Sequence, residues 1–253
     1  MAMAKLLTIC NYLEKYLKLA EIPDYPDALN GLQLENGGEV KRIVASVDAC
    51  LPVVRDAVKQ KADLLLVHHG MFWRGAQKIE GSQYDKLKLA MENNLAIYSA
   101  HIPLDVHPAL GNNVLLAKAI GLKNLKPFFE WQGIQLGMRS STRIGRGSLV
   151  DRVRKAVGGE VHLCPGGPEK VSRVGVISGG AGAEIYAAAA EGIDTFITGE
   201  GPHWTYTSAE ELGVNVIYGG HYATETFGVK ALAKHLAAKY SLKWEFVDHP
   251  TGL

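Results

Sequence analysis

Residues 42–73 read RIVASVDACLPVVRDAVKQKADLLLVHHGMFW and contain the pattern of a strand, a helix and a second strand. Residues 42–48 and 63–69 are continuous aliphatic and β-branched runs, which is typical of strands buried on both faces of a parallel sheet. Residues 52–61 between them have the length and composition of a helix. This stretch therefore predicts a β-α-β unit and an α/β fold.

The same alternation continues along the rest of the chain. Further buried strands are predicted at residues 95–101, 173–178, 194–200 and 214–221. Further helices are predicted at residues 82–93, 111–120, 182–192 and 226–240. The first twenty residues are predicted to form an amphipathic helix rather than a targeting segment, because Glu14, Lys15 and Lys18 interrupt the apolar run. The overall pattern predicts sheets that are covered by helices.

Two windows of the sequence resemble each other. Residues 173–204, RVGVISGGAGAEIYAAAAEGIDTFITGEGPHW, align with residues 42–73 without a gap, although two unrelated β-α-β units could also align in this way. The next strands match as well, since AIYSAHIPLD at 96–105 and VIYGGHYATE at 216–225 both carry a histidine and an acid four residues after it. We interpret the chain as two related halves that face each other about a pseudo-dyad.

These halves are expected to be interlocked α/β units. The first is assigned to residues 1–125 and is completed by residues 220–253, and the second is assigned to residues 126–219. Residues 126–170, which include the polar strand-like run GMRSSTRIGRG, have no counterpart in the first half and are expected to extend the second.

Composition narrows the classes of function. The 27 basic residues nearly balance the 26 acidic ones, so no nucleic-acid surface and no anionic-membrane surface is evident. The expected partners are a small molecule and further copies of the chain. The cysteines Cys10, Cys50 and Cys164 lack CxxC spacing and are expected to be reduced, buried thiols. No apolar run approaches the roughly 20 residues of a membrane span, so a cytoplasmic location is expected.

The adjacent histidines His68 and His69 follow the strand core LLLV and precede Gly70. Ligand sites in open α/β sheets lie at the carboxyl ends of strands. A backbone turn at Gly70 could bring both imidazoles to one side. The pair is therefore a candidate metal-ligand pair, and structural packing at a strand–loop junction is the alternative.

An acid, Asp105, follows the next strand in the motif HIPLD. Pro103 is expected to impose an extended turn rather than a helix and so to direct Asp105 across the strand ends. The alternative is that Asp105 caps the helix that follows.

His221 and Glu225 lie four residues apart in HYATE, at the start of a predicted helix. This spacing places both side chains on one helical face, where an imidazole and a carboxylate can bind one ion. A solvated helix face is the alternative.

Three imidazoles and two carboxylates exceed what one tetrahedral ion needs. His68, His69, Asp105, His221 and Glu225 therefore predict a metal site at the junction of the two halves, with two divalent ions about 3.5–4 Å apart. Mixed nitrogen and oxygen ligands favour zinc, manganese, iron or nickel over calcium or magnesium, and the sequence leaves the metal's identity open. The remaining alternative is that these residues are structural and bind no metal.

The alignment of the halves adds residues around this site. His101 corresponds to His221, and Glu200 corresponds to His69. His101 and Glu200 are expected to orient ligands or transfer protons, and an extra ligand role is the alternative. Glu200 and His203, in TGEGPHW, are the candidate catalytic acid–base pair, whereas a capping or ion-pair role for Glu200 stays open.

Two further polar or glycine-rich segments have a simpler interpretation. SGGAG at residues 178–182 is interpreted as a tight turn rather than a phosphate-binding turn, because it matches neither a dinucleotide-binding nor a Walker motif. NGLQ at residues 30–33 is interpreted as a turn whose polar side chains could reach the cleft.

The motifs LLLVHHGMFWRG, HIPLDVHPALGNN, FITGE and GGHYATE, with NGLQ near the start, resemble those of the GTP cyclohydrolase I type 2 family, also called NIF-three-like. The similarity covers essentially the whole chain and is nearest to the short bacterial YbgI-type members. The resemblance implies a dinuclear metal site at the same five residues and a toroidal homohexamer. The family name implies opening of the GTP purine ring, but this chain has no recognisable guanine-reading motif.

Two functions are compatible with these observations. The first is a metal-dependent hydrolase that acts on a nucleotide or another phosphorylated metabolite, with the ions activating a water molecule. The second is a metal-stabilised, ring-forming binding or regulatory protein without turnover. Unfolding or disassembly of a His68→Ala variant would favour the second, and loss of turnover alone would favour the first.

Overall fold

The computed structural model describes residues 3–73, 75 and 77–253, and Arg74 of the LLLVHHGMFWRG motif lies outside them. The chain forms two compact units. Unit 1 comprises the chain up to Leu104 together with Gly228–His249, and unit 2 comprises Asp105–Phe227 with Pro250–Leu253. Both contain sheets covered by helices, so the predicted α/β class is confirmed.

Unit 1 contains a mixed sheet. The strands of the unit are β1 (Ala4–Lys5), β2 (Gly31–Leu34), β3 (Glu39–Val40), β4 (Arg42–Asp48), β5 (Leu64–His69), β6 (Ala96–Ser99) and β13 (Lys243–Phe246). The sheet order is β13-β4-β5-β6-β2, in which β2 alone is antiparallel to its neighbour, and β1 pairs with β3 separately. The carboxyl ends of β5 and β6 therefore meet at one edge of the sheet.

Helices cover the sheet of unit 1. They are α1 (Leu6–Tyr16), α2 (Leu51–Lys59), α3 (Gly81–Glu92), α4 (Ile102–Asp105), whose last residue is counted to unit 2, and the part of α9 (His221–Tyr240) that follows Phe227. Val53 and Val54 of α2 pack in one buried cluster with Val44 and Leu65 of the sheet. Each such aliphatic side chain contributes about 1.5–3 kcal/mol by leaving water.

Unit 2 repeats the parallel strand arrangement within a different sheet. Its strands are β7 (Lys126–Trp131), β8 (Ile134–Gly145), β9 (His162–Pro165), β10 (Lys170–Val176), β11 (Thr195–Thr198) and β12 (Asn215–Tyr218), in the order β7-β8-β10-β11-β12-β9. Strands β10, β11 and β12 are parallel, as β4, β5 and β6 are in unit 1. Residues 137–145 of the predicted polar strand lie within β8, and its last two residues, Arg146 and Gly147, begin α6.

The helices of unit 2 pack on this sheet. They are α5 (Asn112–Ala119), α6 (Arg146–Val157), a 3-10 turn at Ala181–Glu184, α7 (Ile185–Ala190), α8 (Thr205–Leu212) and the start of α9. Leu116 of α5 packs in one buried cluster with Leu149 and Val153 of α6. Because α5 contributes to this core, unit 2 begins at Asp105 rather than after residue 125, and the chain returns to unit 1 at Gly228 rather than at residue 220.

The HIPLD motif differs from its prediction. Residues Ile102–Asp105 form the short helix α4, so the expected extended turn is wrong. Pro103 occupies the second helical position, where a backbone N–H has no acceptor within the helix and its loss has little effect. Within residues 3–73, 75 and 77–253, no helix combines the length and apolar character that crossing a bilayer requires.

Candidate metal centre

Three imidazoles lie together in unit 1. His68 and His69 are the last residues of β5, and His101 follows the neighbouring strand β6. One ring nitrogen from each can be chosen so that all three lie within 4.8 Å of one another. His68 is fully buried, whereas His69 and His101 are partly exposed. These three histidines could hold a metal ion.

An acceptor engages Nδ1 of each of these rings. The acceptor is the Ala100 carbonyl oxygen for His68, at 2.9 Å, and Asp48 Oδ1 for His69, at 2.8 Å. For His101 it is Asp24 Oδ1, at 2.8 Å. An imidazole that donates its Nδ1 proton to an acceptor keeps a lone pair on Nε2, the state in which histidine binds metal. The donor set therefore fits a divalent transition metal.

Asp24 is the centre of a polar network that fixes His101. The carboxylate also accepts hydrogen bonds from Ile102 N, at 3.1 Å, and Asn30 Nδ2, at 2.8 Å. Asn30 Oδ1 in turn accepts one from the His101 backbone at 2.8 Å. Burial alone would raise the pKa of Asp24, but the hydrogen bond and charge of His101, with those from Asn30 and the backbone, lower it overall. The carboxylate is therefore ionised and holds His101 in place.

Gln33 supports the turn after the histidine pair. Its Oε1 accepts a hydrogen bond from Met71 N at 2.7 Å, and its Nε2 donates one to the Leu29 carbonyl oxygen at 2.6 Å. A Cβ on Gly70 would lie 2.1 Å from Gln33 Nε2, so this approach requires glycine. Asn30 and Gln33 thus contact the segments that carry the imidazoles, and Gly31–Leu34 forms strand β2 rather than only a turn.

In unit 2, His221 and Glu225 contact each other on the first turn of α9. His221 Nε2 lies 3.2 Å from Glu225 Oε2, as their spacing predicts. Glu200 Oε1 lies 2.8 Å from His221 Nδ1, so it holds this ring as Asp48 holds His69. Burial would lower the pKa of His221, but its hydrogen bonds and charge interactions with Glu225 and Glu200 raise it to about 9.

Asp105 lies in the same unit beside the glycine-rich turn. It is 7% exposed, and its Oδ1 accepts hydrogen bonds from Asn112 Nδ2, at 2.7 Å, and from Ser178 Oγ, at 3.4 Å. Gly179 follows Ser178 with φ of +69°, and a Cβ there would lie 2.2 Å from Glu225 Oε1. The carboxylates of Asp105 and Glu225 thus flank the Ser178–Gly179 segment.

The structure supports the tight-turn interpretation of SGGAG. The Gly179 carbonyl oxygen accepts hydrogen bonds from the backbone N–H groups of Gly199 and Glu200 and from Thr198 Oγ1. These bonds tie the turn to the end of β11. The other candidate in this region, His203, is exposed and lines a cavity of 820 Å³ together with Glu200.

Within each unit, the predicted ligands therefore lie close to other polar side chains that can bind a metal or hold a ligand in place. His68 and His69 lie together in unit 1, and His221 and Glu225 lie together in unit 2, as does Asp105 with Ser178. A single centre that contains all five stays a prediction. Asp24 and Asp48 lie outside the motifs that predict the ligands, although Asp48 is recognisable as an acid at the carboxyl end of the strand next to β5.

Comparison with known proteins identifies the family. The model of Duf34/NIF3 (NGG1p interacting factor 3) matches residues 4–251. The chain belongs to the Duf34/NIF3 family. A Duf34/NIF3 relative from Deinococcus radiodurans, named GTP cyclohydrolase 1 type 2 homolog, is 42% identical over 247 residues, which are 97% of this chain and 93% of the relative. The resemblance seen in the sequence motifs is confirmed.

Solved structures agree with this Duf34/NIF3 assignment. TTHA1606 from Thermus thermophilus has a TM-score of 0.92 and 37% identity, covering 99% of this chain and 100% of that one. The protein ybgI, described as of unknown function, has a TM-score of 0.92 and 35% identity with the same coverage. The motifs that carry the resemblance here end β5, form α4 and begin α9, where the candidate ligands lie.

Proposed function

We propose that this protein is a metal-dependent hydrolase that acts on a nucleotide or another phosphorylated metabolite. His68, His69, Asp105, His221 and Glu225 are its proposed ligands for two divalent transition-metal ions. The observation that carries the proposal is that Nδ1 of every histidine in this set is engaged by an acceptor. Imidazoles held in this way are the usual ligands of zinc, iron, manganese and nickel.

Two buried carboxylates support a cationic occupant. Asp105 and Glu225 are 7% and 3% exposed. Burying ionised carboxylates is unfavourable unless charge and hydrogen bonds compensate, and a cation bound by both groups would supply that charge. The donor set, nitrogen from three rings and oxygen from two acids, also fits transition metals better than calcium or magnesium.

The residues around the ligands have distinct tasks in this proposal. Bound divalent ions supply a nucleophilic water at neutral pH and polarise the bond that is cleaved. Glu200 keeps His221 in one orientation through its Oε1 atom. The Glu200 carboxylate and the exposed His203 ring line the same cavity, and we assign proton transfer at the leaving group to this pair.

The test combines metal analysis with a broad screen of nucleotides and phosphoesters. The metal-loaded protein should turn over at least one compound. His68→Ala should stay folded and lose both metal and turnover, whereas His249→Ala, which changes a histidine outside the motifs, should keep both. If the protein turns over nothing while established hydrolases do so in the same plates, the hydrolase proposal fails. If His68→Ala unfolds or changes its oligomeric state, the metals serve assembly instead.

A further inference from the structure

The cavity beside Glu200 has a composition that points to one kind of ligand. Its volume is 820 Å³, and it lies entirely within unit 2. The lining includes the rings of His162, Tyr206 and Tyr218 and the carboxylates of Glu160 and Glu200. A volume of this size suits a small molecule, since ligand pockets commonly measure about 300–1,000 Å³.

The rings form one wall of the cavity. His162 and Tyr218 are paired across strands β9 and β12, so their side chains lie beside each other on one face of the sheet. Their ring centroids are 6.4 Å apart and their planes differ by only 15°. Tyr206 adds a tilted ring 6.2 Å from His162. A hydrogen bond between the Tyr218 and Thr205 hydroxyls fixes the Tyr218 ring. A flat ligand can stack on such a wall.

The charges of the lining select among flat ligands. Glu160 and Glu200 bring negative charge to the cavity, and among the described residues that line it none is a lysine or an arginine. A phosphate group would meet repulsion from these carboxylates and no lysine or arginine among the described lining residues. A group with N–H donors, in contrast, can donate to the carboxylates.

We infer that this cavity binds the ring of a planar nitrogen heterocycle that carries an amino group, and that phosphate groups stay outside it. The ring stacks on the wall of His162, Tyr206 and Tyr218, and the amino group donates to Glu160, because Glu200 Oε1 is already engaged by His221. This inference rests on the proposed function, because it assigns a place to one part of a nucleotide-like substrate. The assignment also orients that substrate, because Glu200, which lines the cavity, contacts the proposed ligand His221.

The test measures binding of nucleosides, which lack phosphate, to the full-length protein by equilibrium dialysis. Two pairs of nucleosides isolate the effect of the amino group. Adenosine carries an amino group where inosine carries an oxygen, and cytidine carries one where uridine carries an oxygen. Adenosine or cytidine should bind at least about fivefold more tightly than its partner, and ribose 5-phosphate should not compete. This fivefold preference corresponds to about 1 kcal/mol of binding free energy, which a modest charge-assisted hydrogen bond can supply.

Matched variants locate the binding. Tyr206→Ala should weaken nucleoside binding about tenfold, as expected for loss of one stacking ring. Tyr186→Ala, which removes a more exposed tyrosine of the same unit outside the cavity, should change nothing. Glu160→Gln should reduce the preference for the amino-bearing nucleosides, whereas Glu211→Gln, on α8 outside the lining, should preserve it. A thermal melt of each variant shows that it is folded.

The outcomes separate this inference from the proposed hydrolase. If binding depends on Tyr206 and Glu160 while no compound is turned over, the cavity assignment stands and the hydrolase fails. If turnover occurs but neither variant alters binding, the cavity assignment fails and the hydrolase stands. Undetectable binding of every nucleoside at millimolar concentration, or stronger binding of ribose 5-phosphate, also overturns the cavity assignment.

Discussion

Asp24 Oδ1 lies 2.8 Å from His101 Nδ1, although the two residues are 77 positions apart in the sequence. The same distance separates Asp48 from His69 and Glu200 from His221. In each pair a carboxylate accepts from Nδ1, so Nε2 is the possible ligand atom, and Nε2 of His221 lies 3.2 Å from Glu225 Oε2. A proton acceptor behind the ring both fixes its direction and increases the basicity of Nε2. The candidate ligand rings are thus oriented by the protein itself.

Replacing Asp24 with asparagine should weaken this orientation. The amide side chain would present an NH₂ group where one carboxylate oxygen now accepts, so either the bond from His101 to Oδ1 or the two bonds from Asn30 and Ile102 to Oδ2 must be lost. We expect Asp24→Asn to lower the free energy of unfolding by about 1–3 kcal/mol. We also expect a metal affinity about 10- to 100-fold lower, because His101 belongs to the three-histidine group of unit 1 that could hold an ion.

Urea unfolding and competition with a chelator measure the two effects. The control is Asp27→Asn, an exposed aspartate of the same loop, which should leave both quantities unchanged. Wild-type metal affinity in Asp24→Asn would show that His101 needs no orienting carboxylate.

Gly70→Ala should disturb the turn after the histidine pair. The added Cβ would fall 2.1 Å from Gln33 Nε2, so the side chain must move and give up its bonds to Met71 N and the Leu29 carbonyl. We expect a loss of about 1–3 kcal/mol in the free energy of unfolding. Gly147→Ala, at an uncrowded position of α6, should be neutral or stabilising by up to about 1 kcal/mol.

A double variant tests the cause. Removing the amide with Gln33→Ala should make the further change Gly70→Ala nearly neutral, because the crowded atoms are gone. If Gly70→Ala lowers the free energy of unfolding by the same amount with and without the Gln33 side chain, contact with that side chain is not the reason for glycine at this position.

The stability of the metal-free protein should depend on the protonation of His221. Its pKa is about 9 because hydrogen bonds and charge interactions with Glu225 and Glu200 outweigh burial, whereas the ordinary value is 6.5. Since the folded state binds this proton more tightly, the stabilisation is complete below about pH 6.5 and is lost as the pH rises through about 9. Urea unfolding of chelator-treated protein across this range should show the loss.

The control for this effect is His221→Gln, which cannot take up the proton. Its stability should fall less than that of the wild type between pH 6.5 and 9. The stability of Glu200→Gln should fall by an intermediate amount over the same pH range, because the interaction of His221 with Glu225 remains. Parallel pH profiles for the wild type and His221→Gln would contradict the assignment of a raised pKa to this residue.

The cysteines should differ in reactivity. Burial is the main cause that raises the pKa of both the Cys10 and the Cys164 thiols to about 11, with added repulsion from Glu14 and Glu210 respectively. Cys50 is half-buried. Because the thiolate is the reactive form, Cys50 should react with a thiol reagent at pH 8 well before the others. Mass spectrometry of tryptic peptides measures this order, and early modification of Cys10 would contradict it.

The strands and the contact between His221 and Glu225 could be anticipated because local patterns encode them. The aliphatic run at 42–48 coincides with β4, and the spacing in HYATE placed His221 against Glu225. Both depend on residues near each other in the chain, where periodicity and spacing are informative.

The groups that support the site could not be predicted in this way. Asp24 reaches His101 only after the chain has folded, and nothing in its own neighbourhood marks it. Gln33 belongs to the NGLQ segment, whose polar side chains could reach the cleft, but its contact with Met71 N depends on the fold. The membership of α5 in unit 2 also depends on which core its apolar face joins. Pro103 does not distinguish the two conformations, because proline tolerates the first turn of a helix as well as an extended turn.

The central claim is that this chain binds divalent transition metal through the histidine and carboxylate set. Elemental analysis of the purified protein, with the single variants His68→Ala and Glu225→Ala beside it, tests this most directly. We predict two equivalents of transition metal per chain for the wild type and a clear loss in each variant while both remain folded. Wild-type protein without bound transition metal after exposure to zinc, manganese, iron and nickel, or unchanged metal content in both variants, would contradict it.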